Sequence, residues 1–533
     1  MNEQTGWLLD LYAADDGGIR LWMLTDSGER ISIDLEFPIT FYAAGDFRLL
    51  RQAWAYLRDK EVELARTERR DLFSGERDVM AVTVQQPATL SSLYRQLSDH
   101  FPALDYYDAD IPLSLRFAAR FGVHPLGRFS IDAQKKITPL DTPWELEPAP
   151  IPLRILTLEP DHNPAQRPPT KLHISTGKSS FWVSLTPSKT FLIGLKAVLQ
   201  RVDPDLILSN YGDTWLFPQL KIWSAETRIP CNPNRDPEMD VLTRKASSYF
   251  AYGQVVYRGA QTHLFGRWHI DQRNAMLFDE YRLHGVLEQA RVTGLPVQEI
   301  ARKSPGSGIT AMQMQTALQT GVMVPMQKQQ AEGRKSLTQL IRADRGGLIY
   351  QPLVGLHRNV AQIDFASMYP SIIVGHNISP ETTGKENAPD GLVPQTLRPL
   401  LEKRLALKRQ MLALTPYDCR RVALKSRTAA LKWLLVVCFG YLGYKNARFG
   451  RIEGHEAVTG ISREIMLQAK EIAEEMGFTV LHMYVDSLFV QQEGYRNPQD
   501  FAPLLDAISK QTAIPILVGR SLSLGSLLFI PEG

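Results

Sequence analysis

Two aspartates at the ends of apolar runs constrain this chain most. Asp364 follows Val360-Ala361-Gln362-Ile363, and Asp486 follows Val480-Leu481-His482-Met483-Tyr484-Val485. An ionised carboxylate beside a buried strand is costly unless a cation or partner compensates it. Two such groups brought together by one sheet can hold paired divalent ions. Those ions stabilise the attacking and leaving oxygens of an in-line phosphoryl transfer. Mg²⁺ suits the role because it takes few carboxylates and leaves room for phosphate oxygens. Two Mg²⁺ ions are the expected cofactor, with Mn²⁺ as a substitute. The plainer alternative is that each Asp caps a turn.

A basic helix pair weighs against that alternative. Between Thr396 and Trp433 there are ten Lys or Arg and two acids, Glu402 and Asp418. The pattern is helical, broken near Thr415-Pro416-Tyr417-Asp418. Arg404 and Lys408 are four apart and share a helical face. Lys425 and Lys432 lie two turns apart on the second helix. Such faces can clamp a triphosphate and neutralise developing charge. A solvated charged face is the usual alternative, but acids are too few here to pair with the cations.

The 533-residue length suggests several domains, and the 44% hydrophobic fraction is ordinary for a globular chain. A net charge of +3 does not by itself announce a nucleic-acid partner. The three cysteines, Cys231, Cys419 and Cys438, follow no metal-ligand spacing and fit a reducing cytosol. The N-terminus lacks the pattern of a signal peptide, and the apolar run Leu434 to Phe439 is too short to span a bilayer. A cytoplasmic protein with no membrane partner is expected.

Along the chain, residues 1–140 read as a mixed α/β domain. Ile31, Ile33, Leu35 and Phe37 alternate there with Ser32, Asp34 and Glu36. A proline-dense stretch, Pro139 to Pro152, marks a boundary. Residues 153–300 form a second segment. Residues 303–345 open with Ser-Pro-Gly-Ser-Gly and read as a solvated, partly helical connector. Residues 346–395, 396–440 and 441–533 form the third unit. In it, Ile465, Ala469, Ile472 and Met476 share one stripe of a helix ending at Gly477.

The run Asp364-Phe365-Ala366-Ser367-Met368-Tyr369-Pro370-Ser371-Ile372-Ile373 resembles the first palm motif of family B DNA polymerases. Asn377-Ile378-Ser379-Pro380 follows at the expected distance. Lys432 through Phe439-Gly440-Tyr441 resembles the finger motif, and Tyr484-Val485-Asp486-Ser487-Leu488-Phe489-Val490 the second acidic motif. The resemblance implies an α/β multidomain fold. Its parts are an N-terminal mixed domain, a ribonuclease H-like exonuclease-type domain at 153–300, a palm with an antiparallel sheet, and helical-hairpin fingers at 396–440. It implies Asp364 and Asp486 as catalytic metal ligands, with the Phe365 backbone carbonyl facing the metal. Ser367 and Met368 would offer backbone amides to the incoming nucleotide, and Arg404, Lys408 and Lys432 would grip its phosphates. Tyr369 would lie beneath the sugar and exclude a 2′-hydroxyl. The implied partners are primer–template DNA and deoxynucleoside triphosphates, in a nucleoid-associated prokaryotic setting.

The sequence departs from the family pattern at several places. Tyr484 stands where the second motif usually has another aspartate, and Val436-Val437 replaces the usual Asn-Ser of the fingers. No thumb-like basic Tyr segment is read before Gly533, so a separate thumb-bearing subunit is a candidate partner, and a truncated reading frame would look the same. Together these features resemble the divergent second type of prokaryotic family B polymerase, distantly related to bacterial DNA polymerase II. In the exonuclease-type segment, Glu159-Pro160-Asp161 replaces Asp-x-Glu, Leu216 stands where an Asp is expected, Asp213 is three residues away, and Asp271 is a remnant candidate for the third motif. Proofreading is therefore not expected. A degenerate, DNA-binding scaffold is the competing expectation for the whole chain.

Overall fold

The computed structural model describes all residues except 1–2, 15–16, 252–253, 330, 344, 515, 519–524 and 530–533. The chain divides into two units. One comprises Met1–Met326 with Ala406–Leu431, the other Gln327–Leu405 with Lys432–Gly533.

In the first unit the early alternation becomes strand Arg30–Leu35, with Ile33 and Leu35 buried and Ser32 and Asp34 exposed. It edges an antiparallel five-stranded sheet with Ile19–Thr25, Gln4–Ala13, Arg128–Ile131 and Ile137–Pro139. A second antiparallel sheet orders Val62–Asp71, Gly75–Val84, Ile39–Ala44 and Asp105–Tyr107. Leu21, Met23, Phe41, Phe117 and Phe129 fill one core beneath both.

A mixed sheet follows. Ile155–Pro160 pairs antiparallel with Lys171–Thr176 and parallel with Leu206–Ser209, which pairs parallel with Trp268–Asp271. Ser180–Ser184 edges the other side. Leu156, Leu158, Leu172, Ile174, Leu192 and Leu216 form its core. Beside it lies a buried polar network. The Arg302 guanidinium donates to both carboxylate oxygens of Asp213 at 3.0 Å. The His269 ring nitrogens contact Ser209 Oγ at 2.7 Å and the Thr262 carbonyl at 3.0 Å. Gly212 is required here, since a Cβ on it would lie 2.0 Å from Ser209 Oγ.

The connector expected at 303–345 is corrected in its first half. Pro305–Gln319 is a helix whose Ile309, Ala311, Met312, Gln313 and Ala317 are buried, and the first unit runs on to Met326. The Ser-Pro-Gly segment that reads as a chain breaker is instead a helix start, with Pro305 in the first turn, where a missing N–H costs nothing.

The second unit is built on an antiparallel sheet ordered Ile349–Tyr350, Thr479–Tyr484, Ser487–Gln491, Gly355–Phe365 and Ile516–Val518. Gly525–Phe529 also pairs with the long Gly355–Phe365 strand. Asp364 thus lies inside a strand rather than just after one, because the pairing continues through Phe365. Helix Ile452–Glu475 packs on this sheet through Ile465, Ala469 and Ile472. Met476, expected on the same stripe, is the exposed C-terminal cap. The basic pair forms two long helices, Leu392–Ala413 and Arg420–Gly443. They begin before 396 and end after 440. Pro399 sits inside the first helix, where its missing N–H forfeits the bond to the Gln395 carbonyl.

Two predictions follow from the buried network. Arg302→Met strands the buried Asp213 charge and should lower stability by about 3–5 kcal/mol in chemical denaturation; a loss near zero contradicts the pairing. Burial depresses the His269 pKa from 6.5 to about 4 despite the nearby Asp213 charge. Above pH 6.5 the ring is neutral whether folded or not. As pH falls from there toward about 4, the unfolded chain takes up a proton that the folded chain refuses, so stability falls. His269→Asn should flatten that stability–pH slope by about 3 kcal/mol across the window. An unchanged slope counts against a neutral buried ring.

Candidate active site

The site begins with a strained turn. Strands Thr479–Tyr484 and Ser487–Gln491 are joined by Val485 and Asp486 alone, with Tyr484 paired to Ser487. The Asp486 N–H donates to the Tyr484 carbonyl at 2.7 Å, and Val485 sits at φ 58°. A β-branched residue in the left-handed region is held only by its surroundings. Here the Val485 N–H donates to Leu348 O at 2.9 Å, and the Phe365 N–H donates to Asp486 O at 3.0 Å. Gly347 makes room, for a Cβ there would lie 2.9 Å from a Val485 methyl.

This turn brings the two aspartates together. Asp364 pairs across the sheet with Ser487, the residue after Asp486. Ser487 Oγ donates to Asp364 Oδ1 at 2.5 Å, and Gln362 Nε2 donates to the same oxygen at 3.0 Å. Burial pushes the Asp486 pKa up, and the Asp364 charge pushes it further, while Lys432 pulls it back. Two acids thus share one field, a pattern typical of sites built for a cation or a proton. Among the described residues, no cluster of three or more His, Cys, Asp or Glu could hold a metal ion. Any ion here would draw its remaining ligands from backbone, water or substrate. Tyr484, in the position of a third carboxylate, is exposed.

Just past Asp364 the chain turns through Ser367 at φ 54° into helix Met368–Gly375. The first N–H groups of a helix have no intrahelical acceptor and favour anions. Arg404 Nη1 donates to Ser367 Oγ at 2.7 Å. Its Nε is buried with no hydrogen-bond partner, and burial lowers its pKa. A largely desolvated guanidinium beside a helix start is a ready grip for phosphate oxygens. Lys432 is exposed. Lys408 lies one turn beyond Arg404 on helix Leu392–Ala413, in the stretch that belongs to the first unit.

Tyr369 stands in the first turn of the short helix, against Phe439 at 4.4 Å between ring centroids. Phe439 in turn stacks on His455 at 4.0 Å and 21°. Sequence reasoning named Tyr369 but missed the two rings behind it, the Ser487 hydroxyl and the Gln362 amide. Ser487 could have been found, since a hydroxyl directly after an aspartate at a hairpin faces the opposite strand. His455 carries no local signal, because its partner lies on another helix. Val436, where a polar finger residue was expected, is half exposed.

The exonuclease-type candidates are dispersed among other partners. Glu159 accepts from Asn210 Nδ2 at 3.0 Å, and Asp161 accepts from Thr170 Oγ1 at 2.6 Å. Asp271 accepts from the N–H groups of Tyr211, Asp213 and Arg273. Burial would push the Asp213 pKa up, but the Arg302 and His269 charges hold it below the usual range. Leu216 is fully buried in the sheet core.

The family model for DNA polymerase family B matches residues 296–390 and 383–497, which carry the aspartates, the Tyr369 helix and the basic pair. DNA polymerase 2 of Saccharolobus solfataricus is 35% identical over 243 residues, covering 43% of this chain and 36% of that protein. The DNA polymerase of Archaeoglobus fulgidus is 25% identical over 97% of this chain and 74% of its own length. The alignment thus spans little more than a third of the first relative and about three quarters of the second. Among solved structures, the family B DNA polymerase of Pyrobaculum calidifontis superposes with a TM-score of 0.70 over 97% of this chain and 77% of that one, at 21% identity, a likeness of fold. No helix of the described residues is long and apolar enough to cross a membrane. The matched motifs and the matched fold agree: residues 296–497 are similar to DNA polymerase family B, and the chain has the fold of a family B DNA polymerase.

Proposed function

We propose that this chain extends a DNA primer by template-directed nucleotidyl transfer, using deoxynucleoside triphosphates, without proofreading. The observation that carries the reading is the Asp364–Asp486 pair, two mutually repelling carboxylates held at a strained hairpin, with Lys432 opposing their charge. The residues fit divalent cations. Two carboxylates and the Phe365 backbone carbonyl would hold Mg²⁺ or Mn²⁺ and leave its other positions to phosphate oxygens. When bound, the metal pair supplies charge stabilisation for the attacking and leaving oxygens of the in-line displacement.

The chain's own groups do the rest. The N–H groups of Ser367 and Met368 face the nucleotide's phosphates from the helix start, and Arg404 donates to them. Lys432 balances the charge that builds on the leaving pyrophosphate. Tyr369, backed by Phe439, lies under the sugar and leaves no space for a 2′-hydroxyl. The Ser487 hydroxyl fixes which Asp364 oxygen remains available, acting through that carboxylate rather than on substrate. In the mixed-sheet domain the Arg302 guanidinium takes the place a cation would need at Asp213, and Leu216 offers no ligand. That supports a wall for DNA rather than a 3′–5′ exonuclease.

Primer extension by purified protein tests the reading. Asp364→Asn and Asp486→Asn should each lower incorporation by about a hundredfold or more, on the order of losing one preorganised charge at a transition state. Incorporation equal to wild type in both sinks the assignment. Tyr369→Ala should raise ribonucleotide use relative to deoxyribonucleotide by about tenfold to a hundredfold, and Phe439→Ala should raise it in the same direction by less. Competition between the two nucleotide types on one primer reads both; unchanged discrimination removes Tyr369 from the sugar gate.

A further inference from the structure

Tyr369, Phe439 and His455 all belong to the second unit and come from three helices. Tyr369 lies in the first turn of Met368–Gly375, Phe439 near the end of Arg420–Gly443 and His455 in the first turn of Ile452–Glu475. Tyr369 meets Phe439 with ring centroids 4.4 Å apart at 47°, and Phe439 meets His455 at 4.0 Å and 21°. All three side chains are partly buried.

The imidazole is held by more than stacking. His455 Nδ1 lies 3.3 Å from the Phe439 carbonyl oxygen. A carbonyl only accepts, so Nδ1 carries the hydrogen and donates it. His455 thus contacts both the ring and the backbone of Phe439. Gly443, one turn after Phe439, makes room for it: a Cβ there would lie 3.2 Å from the His455 ring and 3.1 Å from Ile452 Cδ1. The helix of His455 is also fastened to the helix of Tyr369, where Ser462 Oγ donates to Met368 Sδ at 3.8 Å.

A steric gate discriminates only as far as it is stiff. An added hydroxyl is excluded when the ring facing it cannot retreat, and small displacements at such a point have large effects. Tyr369 stands on a helix of eight residues, too short to be rigid by itself. Its stiffness has to come from the rings it packs on. We propose that His455 is a positioning residue of the sugar gate, holding Phe439 against Tyr369 so that the gate does not yield to a 2′-hydroxyl. The proposal rests on the reading of Tyr369 as that gate. His455 acts through Phe439 and touches no substrate.

Competition between ribonucleotides and deoxyribonucleotides on one primer, with the full chain, tests it. His455→Leu keeps the bulk but removes the flat ring and the Nδ1 donor. It should raise relative ribonucleotide use by about threefold to tenfold, less than removal of Tyr369 itself. His455→Phe restores a flat ring of similar size and should stay within about twofold of wild type. In a Tyr369→Ala background, His455→Leu should change discrimination no further, since the two residues act as one unit. A role in stability alone would shift thermal unfolding in both backgrounds without that coupling. Where His455→Leu does not fold, His455→Gln carries the same expectation. The proposal is overturned if the ring-free variant discriminates as wild type does, if His455→Phe restores nothing, or if the effect persists in full without Tyr369. Wild-type extension with unaltered discrimination in His455→Leu sinks this inference alone. Absence of extension by the wild type sinks the nucleotidyl-transfer reading beneath it as well.

Discussion

Two carboxylates of like charge, partly withdrawn from water, repel one another and raise the cost of keeping both ionised. Everything around Asp364 and Asp486 bears on that repulsion. The Val485 turn forces the approach, Gly347 leaves space for it, and the carbonyl of Asp486 is tied to the Phe365 amide. Ser487 and Gln362 both donate to a single Asp364 oxygen. A strained backbone that maintains an unfavourable charge contact is expected where a cation completes the arrangement.

The second feature that follows is the scarcity of acids elsewhere. Arg404 is half-buried without a carboxylate partner among the described residues, and the basic helix pair carries few acids of its own. Arg398, Arg420 and Arg427 of that pair are nonetheless answered by Asp390, Asp418 and Glu288, so it is Arg404 beside the two aspartates that is complementary to a triphosphate with its metal ions. The mixed-sheet domain shows the opposite solution. There Asp213 is answered internally by Arg302, and no ion is required.

Much of the centre was legible in the sequence because its signals are local. Asp364 with its Ser-Met-Tyr-Pro run, and Asp486 within its hairpin, announce themselves by residue type over short spans. The sheet strands were read from their apolar runs, with ends displaced by a few residues, as happens where pairing rather than propensity sets the limit. The missed elements depend on distant partners. Helix Pro305–Gln319 reads as polar and broken, yet burial within the first unit recruits Gln313, Gly306 and Gly308 into a core. The His455–Phe439–Tyr369 stack joins three helices, and the Asp213–Arg302 pair joins residues far apart in the chain. No periodicity reports such contacts.

The claim at the centre is that Asp364 and Asp486 act as one cation site. Titration of Mn²⁺ followed by electron paramagnetic resonance, with a non-hydrolysable deoxynucleoside triphosphate present, measures it directly. The account predicts saturable binding to the wild-type chain, weakened by about tenfold or more in both Asp364→Asn and Asp486→Asn. Equal Mn²⁺ affinity in the three proteins would contradict it.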